Sequence, residues 1–193
     1  MTILLIGVDG VGKTAVANHL AKHYLANFRV RANVLADNNQ GFFCACSTLR
    51  DRSVPVTEQT KSFIPSIHFD LDNYDKTETN IIQDSLTVVK LIAYHIACKD
   101  KGLVVDLEKL LSLYPKFDKV FFLEARHDII KERLCNREKH LDHYDVLPFE
   151  DPPAFLRANK AQKDIAVNLF GATVIDTSNL TIDETARQVA SGS

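Results

Sequence analysis

Eight residues near the start of the chain have the types and spacing of a phosphate-binding loop. Residues 7–14 read GVDGVGKT, which fits the pattern G-x-x-x-x-G-K-T. The apolar run 3–6 precedes them, and a stretch with helical spacing of apolar residues follows. In that context, glycines let backbone N–H groups surround phosphate oxygens, and the helix N-terminus adds partial positive charge. The predicted nucleotide-binding residues are Gly7, Asp9, Gly10, Val11, Gly12, Lys13 and Thr14.

The last two residues of this loop carry most of its chemistry. Lys13 is expected to reach the β- and γ-phosphates as a cation, and the Thr14 hydroxyl is expected to ligate the Mg²⁺ that bridges them. The alternative is an ordinary strand-to-helix turn with a solvated lysine. Because three glycines, the lysine and the threonine all occupy required positions, the sequence favours binding of a nucleoside triphosphate.

Further candidate residues follow later strands. Ligands of open α/β sheets bind at the carboxyl ends of strands, and the strand-like run NIIQD ends in Asp84. Asp84 is predicted to hold a Mg²⁺-bound water or to accept a proton from an attacking hydroxyl, and a helix N-cap is the competing role. Arg133 and Arg137 are four residues apart, which predicts one helical face. These arginines are expected to close over a migrating phosphoryl group, unless they belong to a solvated charged face.

The predicted catalytic residues are therefore Lys13, Asp84, Arg133 and Arg137. The predicted metal ligands are Thr14 and Asp84.

The pattern of strands and helices predicts the sheet that positions these residues. Strand-like runs cover 3–6, 29–35, 80–83, 119–123 and 173–175. Helical patterns cover 13–27, 85–99, 104–113, 127–138, 152–169 and 182–190. Short strands separated by helices long enough for crossovers indicate an α/β fold with a parallel sheet covered on both faces.

Three local patterns refine these helices. The first helix has an apolar stripe at four-residue intervals that is expected to pack on the sheet: Val16, Leu20, Tyr24 and Phe28. Asp151 before Pro152 predicts an N-cap followed by proline at the first helical position. Thr181 and Glu184 have the spacing of a capping box.

The length, net charge and apolar content of the chain limit the domain organisation and the class of substrate that we expect. The chain has 193 residues, of which 46% are hydrophobic and 25% charged, so residues 1–193 are expected to form one globular domain. A net charge of -2 argues against bulk attraction to nucleic acid or to an anionic membrane. No apolar run reaches the roughly 18 residues of a membrane span, and no signal-peptide pattern is present. We expect a cytoplasmic protein that acts on a small molecule.

The candidate metal-binding residues carry a weak signal. Four cysteines form no C-x-x-C pair and are expected to be spectator thiols: Cys44, Cys46, Cys98 and Cys135. His140 and His143 have a spacing that can hold a metal, but they lack further ligands nearby, so a polar loop is favoured. No protein-held zinc is predicted.

Together these blocks resemble the thymidylate kinase and deoxynucleoside kinase group of P-loop kinases. The resemblance rests, in this order, on GVDGVGKT, IIQDSLTVVKLIAYH, VFFLEARHDIIKERLCNR and TVIDTSNLTIDETARQV. It implies a nucleoside monophosphate kinase-like fold with a five-stranded parallel sheet, ATP and Mg²⁺ as cofactors, and a small-molecule acceptor. It also implies a lid at 134–150 that begins near Arg133 and Arg137, and a homodimer through apolar helices such as 85–99. Asp9 matches the residue that contacts the acceptor's sugar hydroxyl, and Asp84 matches the aspartate of an Asp-Arg pair.

The sequence differs from thymidylate kinases at positions where they carry arginines that normally bind the phosphate of the acceptor. Ser85 stands where thymidylate kinases carry arginine, and residues 36–41 replace their Arg-Glu-Pro-Gly-Gly block. Loss of these arginines argues against thymidylate as the acceptor. The irregular stretch 36–75 is predicted to be the acceptor side, with a surface excursion as the alternative. Arg50 or Arg52 within it would restore a monophosphate acceptor; otherwise the acceptor is a nucleoside or another small hydroxyl compound.

Two other classes of function are alternatives to a kinase. A GTP switch needs the guanine-reading pattern N-K-x-D, whereas residues 159–162 read NKAQ and fall where a helix is expected. A degenerate member of the group would bind nucleotide without turnover, and the missing arginines are the feature that supports it.

Overall fold

A parallel five-stranded sheet forms the centre of the computed structural model. The structure describes residues 1–32, 55, 67–68, 71–72, 77–86, 88–90, 93, 109, 112–137 and 143–192. The strands are β1 (Thr2–Ile6), β2 (Arg29–Arg31), β3 (Ile81–Asp84), β4 (Lys119–Glu124) and β5 (Thr173–Asp176). Their order is β2-β3-β1-β4-β5, and every neighbouring pair is parallel. The predicted α/β class with a five-stranded parallel sheet is confirmed.

Helices cover both faces of this sheet. The helices with defined bounds are α1 (Lys13–His23), α2 (His127–Cys135), α3 (His143–Glu150), α4 (Pro152–Phe170) and α5 (Ile182–Ser191). In strand β1, the side chains of residues 3–6 alternate between two hydrophobic cores, one on each face of the sheet, and all four are fully buried. Leu4 packs with apolar side chains of α4, and Leu5 packs with those of α1 and α5. A strand buried on both sides reads as a continuous apolar run.

The order of the strands places the candidate residues at one edge of the sheet. After β1 the chain passes to β2 and β3 on one side and then to β4 on the other. The point where the strand order reverses direction, at the carboxyl end of β1, is the crevice where α/β sheets bind ligands. Leu5 of β1 pairs with Asp84 of β3, so the loop that follows β1 and the carboxyl end of β3 meet at this crevice.

The first helix is shorter than its apolar stripe predicts. It ends at His23 instead of residue 27, since the N–H groups of Tyr24 and Leu25 both bond to the Leu20 carbonyl and stop the helical ladder. The chain then turns directly into β2. Tyr24 is 37% exposed, and Phe28 packs against the core from outside the helix. Assigning these two aromatic residues to the helical stripe was therefore wrong.

The helix predicted at 127–138 also ends early. The structure ends α2 at Cys135, with Asn136 as its C-cap, and the N–H of Arg137 bonds to the Leu134 carbonyl in a tighter turn. Arg137 is therefore beyond the helix. The prediction that Arg133 and Arg137 share one helical face was wrong, because the chain leaves its helical path between them.

The helix predicted at 85–99 does not begin at Ser85, because Ser85 and Leu86 are not helical. Its φ is 66°, and its N–H bonds to the Leu5 carbonyl, which continues the sheet ladder by one residue beyond β3. In the predicted helix 85–99 the described helical residues are 88–90 and 93, and in 104–113 they are 109 and 112. Residues 33–35 of the second predicted strand lie outside the described residues, as do Cys44, Cys46, Cys98 and His140.

Two predicted helix starts are confirmed. The Asp151 side chain accepts a hydrogen bond from the Ala154 N–H, and Pro152 follows it at the first helical position. Thr181 and Glu184 form the capping box of α5. Side-chain acceptors of this kind satisfy N–H groups that the first helical turn leaves without a backbone partner. None of the helices in the described residues is both long and apolar enough to cross a bilayer.

Candidate active site

The loop between β1 and α1 turns on glycines in the left-handed region. Gly10 has φ 90° and Gly12 has φ 98°. A Cβ on Gly10 would approach Ile130 Cγ2 to 2.9 Å, so the loop packs directly on α2. At Gly12, the N-cap of α1, nothing described lies within 4 Å of such a Cβ, and no side chain caps the helix. The first N–H groups of α1 are thus arranged for an anion.

Lys13 lies inside this loop. Its Nζ donates a hydrogen bond to the Val8 carbonyl at 2.8 Å and is 4.0 Å from Asp9 Oδ1. Burial lowers the pKa of Lys13, while the carboxylates of Asp9 and Asp84 act in the opposite direction. An ammonium group has three donors, and the Val8 carbonyl occupies one of them. Lys13 is therefore held inside the loop that is predicted to bind phosphate.

Thr14 and Asp84 are brought together from residues seventy positions apart. The Thr14 hydroxyl donates a hydrogen bond to Asp84 Oδ2 at 2.5 Å, and this contact joins the start of α1 to the end of β3. Asp84 is buried. Hydroxyl and carboxylate oxygens are hard donors of the kind that Mg²⁺ binds, together with water and substrate phosphates. The two residues predicted to ligate the metal therefore fit it in type and in position.

Asp9 has a lysine on each side. The Nζ of Lys90 donates to Asp9 Oδ2 at 2.7 Å, and Lys13 approaches the other oxygen. Burial acts to raise the pKa of Asp9, but attraction to Lys90 and Lys13 outweighs it and holds that pKa well below its usual range. Asp9 is thus an anion at neutral pH. Sequence reasoning missed Lys90, although it is the one acidic or basic residue, histidine aside, among residues 85–98.

Arg133 contacts the back of the loop. Its guanidinium donates to the Thr177 hydroxyl at 2.9 Å, to the Thr177 carbonyl at 2.7 Å and to the Val11 carbonyl at 3.4 Å. The Thr177 hydroxyl lies 3.2 Å from the same Val11 carbonyl. Arg133 therefore links the loop between β1 and α1 to the residue that follows β5. Its predicted part in catalysis stays a prediction.

Arg137 approaches the site from the segment predicted to be a lid. Its Nη1 donates to Asp145 Oδ1 at 3.0 Å, and Asp145 is buried in α3. The positive charge of Arg137 lies near enough to the loop to lower the pKa values of Asp9 and Lys13. Residues 143–150 of the predicted lid 134–150 are helical, and residues 138–142 lie outside the described part of the chain.

The predicted acceptor side lies mostly outside the described residues. Within 36–75 the structure describes residues 55, 67–68 and 71–72. Arg50 and Arg52, the candidates for replacing the missing arginines, are not among them. The described part of the candidate site consists of the loop between β1 and α1, the end of β3, Lys90 and the two arginines.

Replacing Arg133 with alanine is expected to destabilise the fold. Its guanidinium makes hydrogen bonds to a part-buried loop, and bonds from charged donors contribute about 1.5–3 kcal/mol. We expect Arg133→Ala to lower the free energy of unfolding in urea by about that amount. Arg126→Ala is the matched control, because Arg126 is exposed and its pair with Asp128 is on the surface. Such a pair is worth up to about 1 kcal/mol. Equal losses in both variants would contradict the role given to Arg133.

The fold of this chain is that of solved P-loop kinases. Thymidylate kinase from Candida albicans is 19% identical over 97% of this chain and 88% of that chain, with a TM-score of 0.67. Thymidylate kinase from Ehrlichia chaffeensis is 16% identical over 99% and 97%, with a TM-score of 0.65. Deoxyadenosine kinase from M. mycoides, solved with bound dCTP, is 15% identical over 99% and 97%, with a TM-score of 0.63. No protein-family model and no curated protein matches the sequence. The resemblance is confirmed at the level of the fold.

Proposed function

We propose that the protein is a Mg²⁺- and ATP-dependent kinase that transfers the γ-phosphoryl group to a nucleotide or nucleoside-like small molecule. The observation that carries this proposal is the contact between Thr14 and Asp84 beside Lys13. Two side-chain oxygens and an ammonium group lie together at the carboxyl edge of the sheet, and this arrangement supports a site for Mg²⁺ and a polyphosphate. The likeness in fold to solved thymidylate and deoxyadenosine kinases supports the same class of reaction.

The residues of the loop would bind and orient the donor. Backbone N–H groups at the start of α1 and the Lys13 ammonium would hold the phosphates, and Thr14 and Asp84 would hold Mg²⁺. When bound, the metal would neutralise charge on the phosphate oxygens. In the transfer, the bond from the γ-phosphorus to the bridging oxygen breaks, an acceptor oxygen bonds to phosphorus, and ADP leaves. A hydroxyl acceptor also releases its proton, for which Asp84 is the proposed base.

The structure weakens the case for a GTP switch. The tetrapeptide NKAQ at 159–162 lies within α4, where a guanine-reading loop would not be formed. Asn159 Oδ1 is buried and has no hydrogen-bond partner among the described residues. Nucleotide binding without turnover is the remaining alternative.

Product analysis would test the proposal. The protein would be incubated with ATP and Mg²⁺ and, in turn, with nucleosides, nucleoside monophosphates and other small hydroxyl compounds. ADP and the phosphorylated acceptor would then be measured by mass spectrometry. We expect one class of acceptor to gain a phosphoryl group in amounts equal to the ADP formed. Thermal unfolding with ATP or GTP gives a parallel readout, because a ligand that binds the folded state raises its stability. Protection by ATP with no product from any acceptor would favour the non-catalytic alternative.

A further inference from the structure

The Asp9 carboxylate lies between two ammonium groups and is closer to one of them. Its Oδ2 accepts a hydrogen bond from Lys90 Nζ at 2.7 Å, whereas its Oδ1 is 4.0 Å from Lys13 Nζ. The first distance is that of a charge-assisted hydrogen bond, and the second is too long for one. The Lys13 ammonium donates instead to the Val8 carbonyl at 2.8 Å. Asp9 is therefore hydrogen-bonded to Lys90 and not to Lys13.

Two elements of the fold hold the Lys90 ammonium beside Asp9. Lys90 belongs to the helical residues 88–90 that follow β3. Its Nζ is also 4.7 Å from the centroid of the Tyr144 ring, within the range of a cation–π interaction. Tyr144 belongs to α3 and is buried. The packing of these two elements therefore fixes the direction of a long side chain toward the Asp9 carboxylate.

Without Lys90, the surroundings of Lys13 would favour a closer ion pair with Asp9. The side chains of Lys13 and Asp9 keep only 10% and 23% of their surface exposed, and opposite charges attract strongly where water is scarce. Burial acts to raise the pKa of Asp9, and among the cations that lower this pKa Lys90 has the largest effect, followed by Lys13. A carboxylate drawn to Lys13 would compete with phosphate oxygens for the same ammonium group.

We propose that Lys90 is a positioning residue, which holds the Asp9 carboxylate away from Lys13 and so keeps the Lys13 ammonium available to the phosphates of ATP. The inference rests on the proposed function, in which Lys13 binds the donor phosphates. Lys90 does not need to touch the nucleotide in this role. Its effect on ATP binding passes through Asp9, so Lys90 should matter only while Asp9 carries its negative charge.

A double-mutant cycle on ATP binding would test this role. Titration calorimetry with Mg²⁺ and without an acceptor would measure the Kd of ATP for the wild type, Lys90→Met, Asp9→Asn and the variant that carries both changes. We expect Lys90→Met to raise Kd about 10- to 100-fold, because Lys13 then pairs with Asp9 and loses a charge-assisted hydrogen bond to phosphate. The double variant has the net charge of the wild type, and its Kd should return to within about twofold of the wild-type value.

Lys160 and Asp164 supply the matched control. Their side chains form an ion pair of the same 2.7 Å length on an exposed surface of α4. Lys160→Met, Asp164→Asn and their combination should bind ATP as the wild type does. Urea unfolding would show which variants are folded. Where Lys90→Met does not fold, Lys90→Gln is the second variant, because its amide can still donate to Asp9 but carries no charge; it should raise Kd by a smaller factor.

The outcomes separate this inference from the proposed function. If the wild-type protein binds no ATP, the proposed function fails and the inference fails with it. If the wild type binds ATP and phosphorylates an acceptor, but Kd is unchanged in folded Lys90→Met or in Lys90→Gln, the kinase proposal stands and the role of Lys90 is overturned. An equal loss of ATP affinity in Lys90→Met and in the double variant would also overturn it, because the effect of Lys90 would then not pass through Asp9.

Discussion

Lys13→Met is expected to lower the rate of phosphoryl transfer by about 10²- to 10³-fold. Charge develops on the phosphate oxygens during transfer, and a cation fixed inside the loop stabilises that charge without rearranging. The structure already holds the Lys13 ammonium in the loop by the Val8 carbonyl and Asp9. Removing it leaves the backbone N–H groups as the main ligands of the donor phosphates. Single-turnover measurement with saturating ATP would separate this loss from weaker binding of ATP.

Lys22→Met is the matched control for this variant. Lys22 lies in the last turn of the same helix and is exposed. Its loss is expected to remove only the favourable interaction of a cation with the helix C-terminus, about 0.3–1 kcal/mol. The rate of transfer should remain that of the wild type. A Lys13→Met protein that is folded and transfers phosphoryl groups at the wild-type rate would remove the basis of the proposed function.

The features that sequence predicted well are those set by residues close together in the chain. The strands follow from short apolar runs, and residues 3–6 of β1 are fully buried because their run is apolar on both faces. Helix starts at Asp151 and Thr181 were predicted correctly because capping depends on neighbours within four residues. Thr14 and Asp84 are far apart in the chain, but their approach is consistent with the rule that ligands of parallel sheets bind at the carboxyl ends of the strands.

Features that depend on tertiary contacts were missed or misplaced. The contact between Lys90 and Asp9 forms only when the helical residues after β3 pack near Asp9. No spacing along the chain predicts it. Arg133 and Arg137 are four apart in sequence, yet the turn at Asn136 directs one to Thr177 and the other to Asp145. Helix ends are decided by competing backbone hydrogen bonds, which apolar periodicity does not report.

The conformation of Ser85 also accompanies a tertiary contact that its sequence neighbours do not predict. Its left-handed backbone conformation is uncommon for a residue other than glycine. The hydrogen bond from its N–H to the Leu5 carbonyl accompanies that conformation and extends the sheet by one residue. As a result, the helix begins later than its apolar pattern indicates, and Asp84 lies at the end of a strand instead of at a helix N-cap. The structure therefore speaks against the capping role of Asp84, and its chemical role stays a prediction.

Asp84→Asn is expected to lower transfer by about 10²-fold or more while leaving the fold nearly as stable. An asparagine keeps the shape of the side chain and an oxygen that accepts the Thr14 hydroxyl. It removes the negative charge that would bind Mg²⁺ and the base that would accept a proton from a hydroxyl acceptor. The half-maximal concentration of Mg²⁺ should rise, and the free energy of unfolding in urea should change little. Titration of Mg²⁺ at fixed ATP would measure the first effect.

Two further variants divide the Asp84 effect into its parts. Thr14→Val removes the hydroxyl but keeps the side-chain shape, so it should raise the Mg²⁺ requirement, whereas Thr14→Ser keeps the hydroxyl and should act like wild type. Asp164→Asn, which removes an exposed carboxylate paired with Lys160, is the control for loss of charge alone. If Asp84→Asn lowers transfer without changing the Mg²⁺ requirement, Asp84 acts as a base and not as a metal ligand. If neither quantity changes, the contact between Thr14 and Asp84 serves only to join α1 to β3.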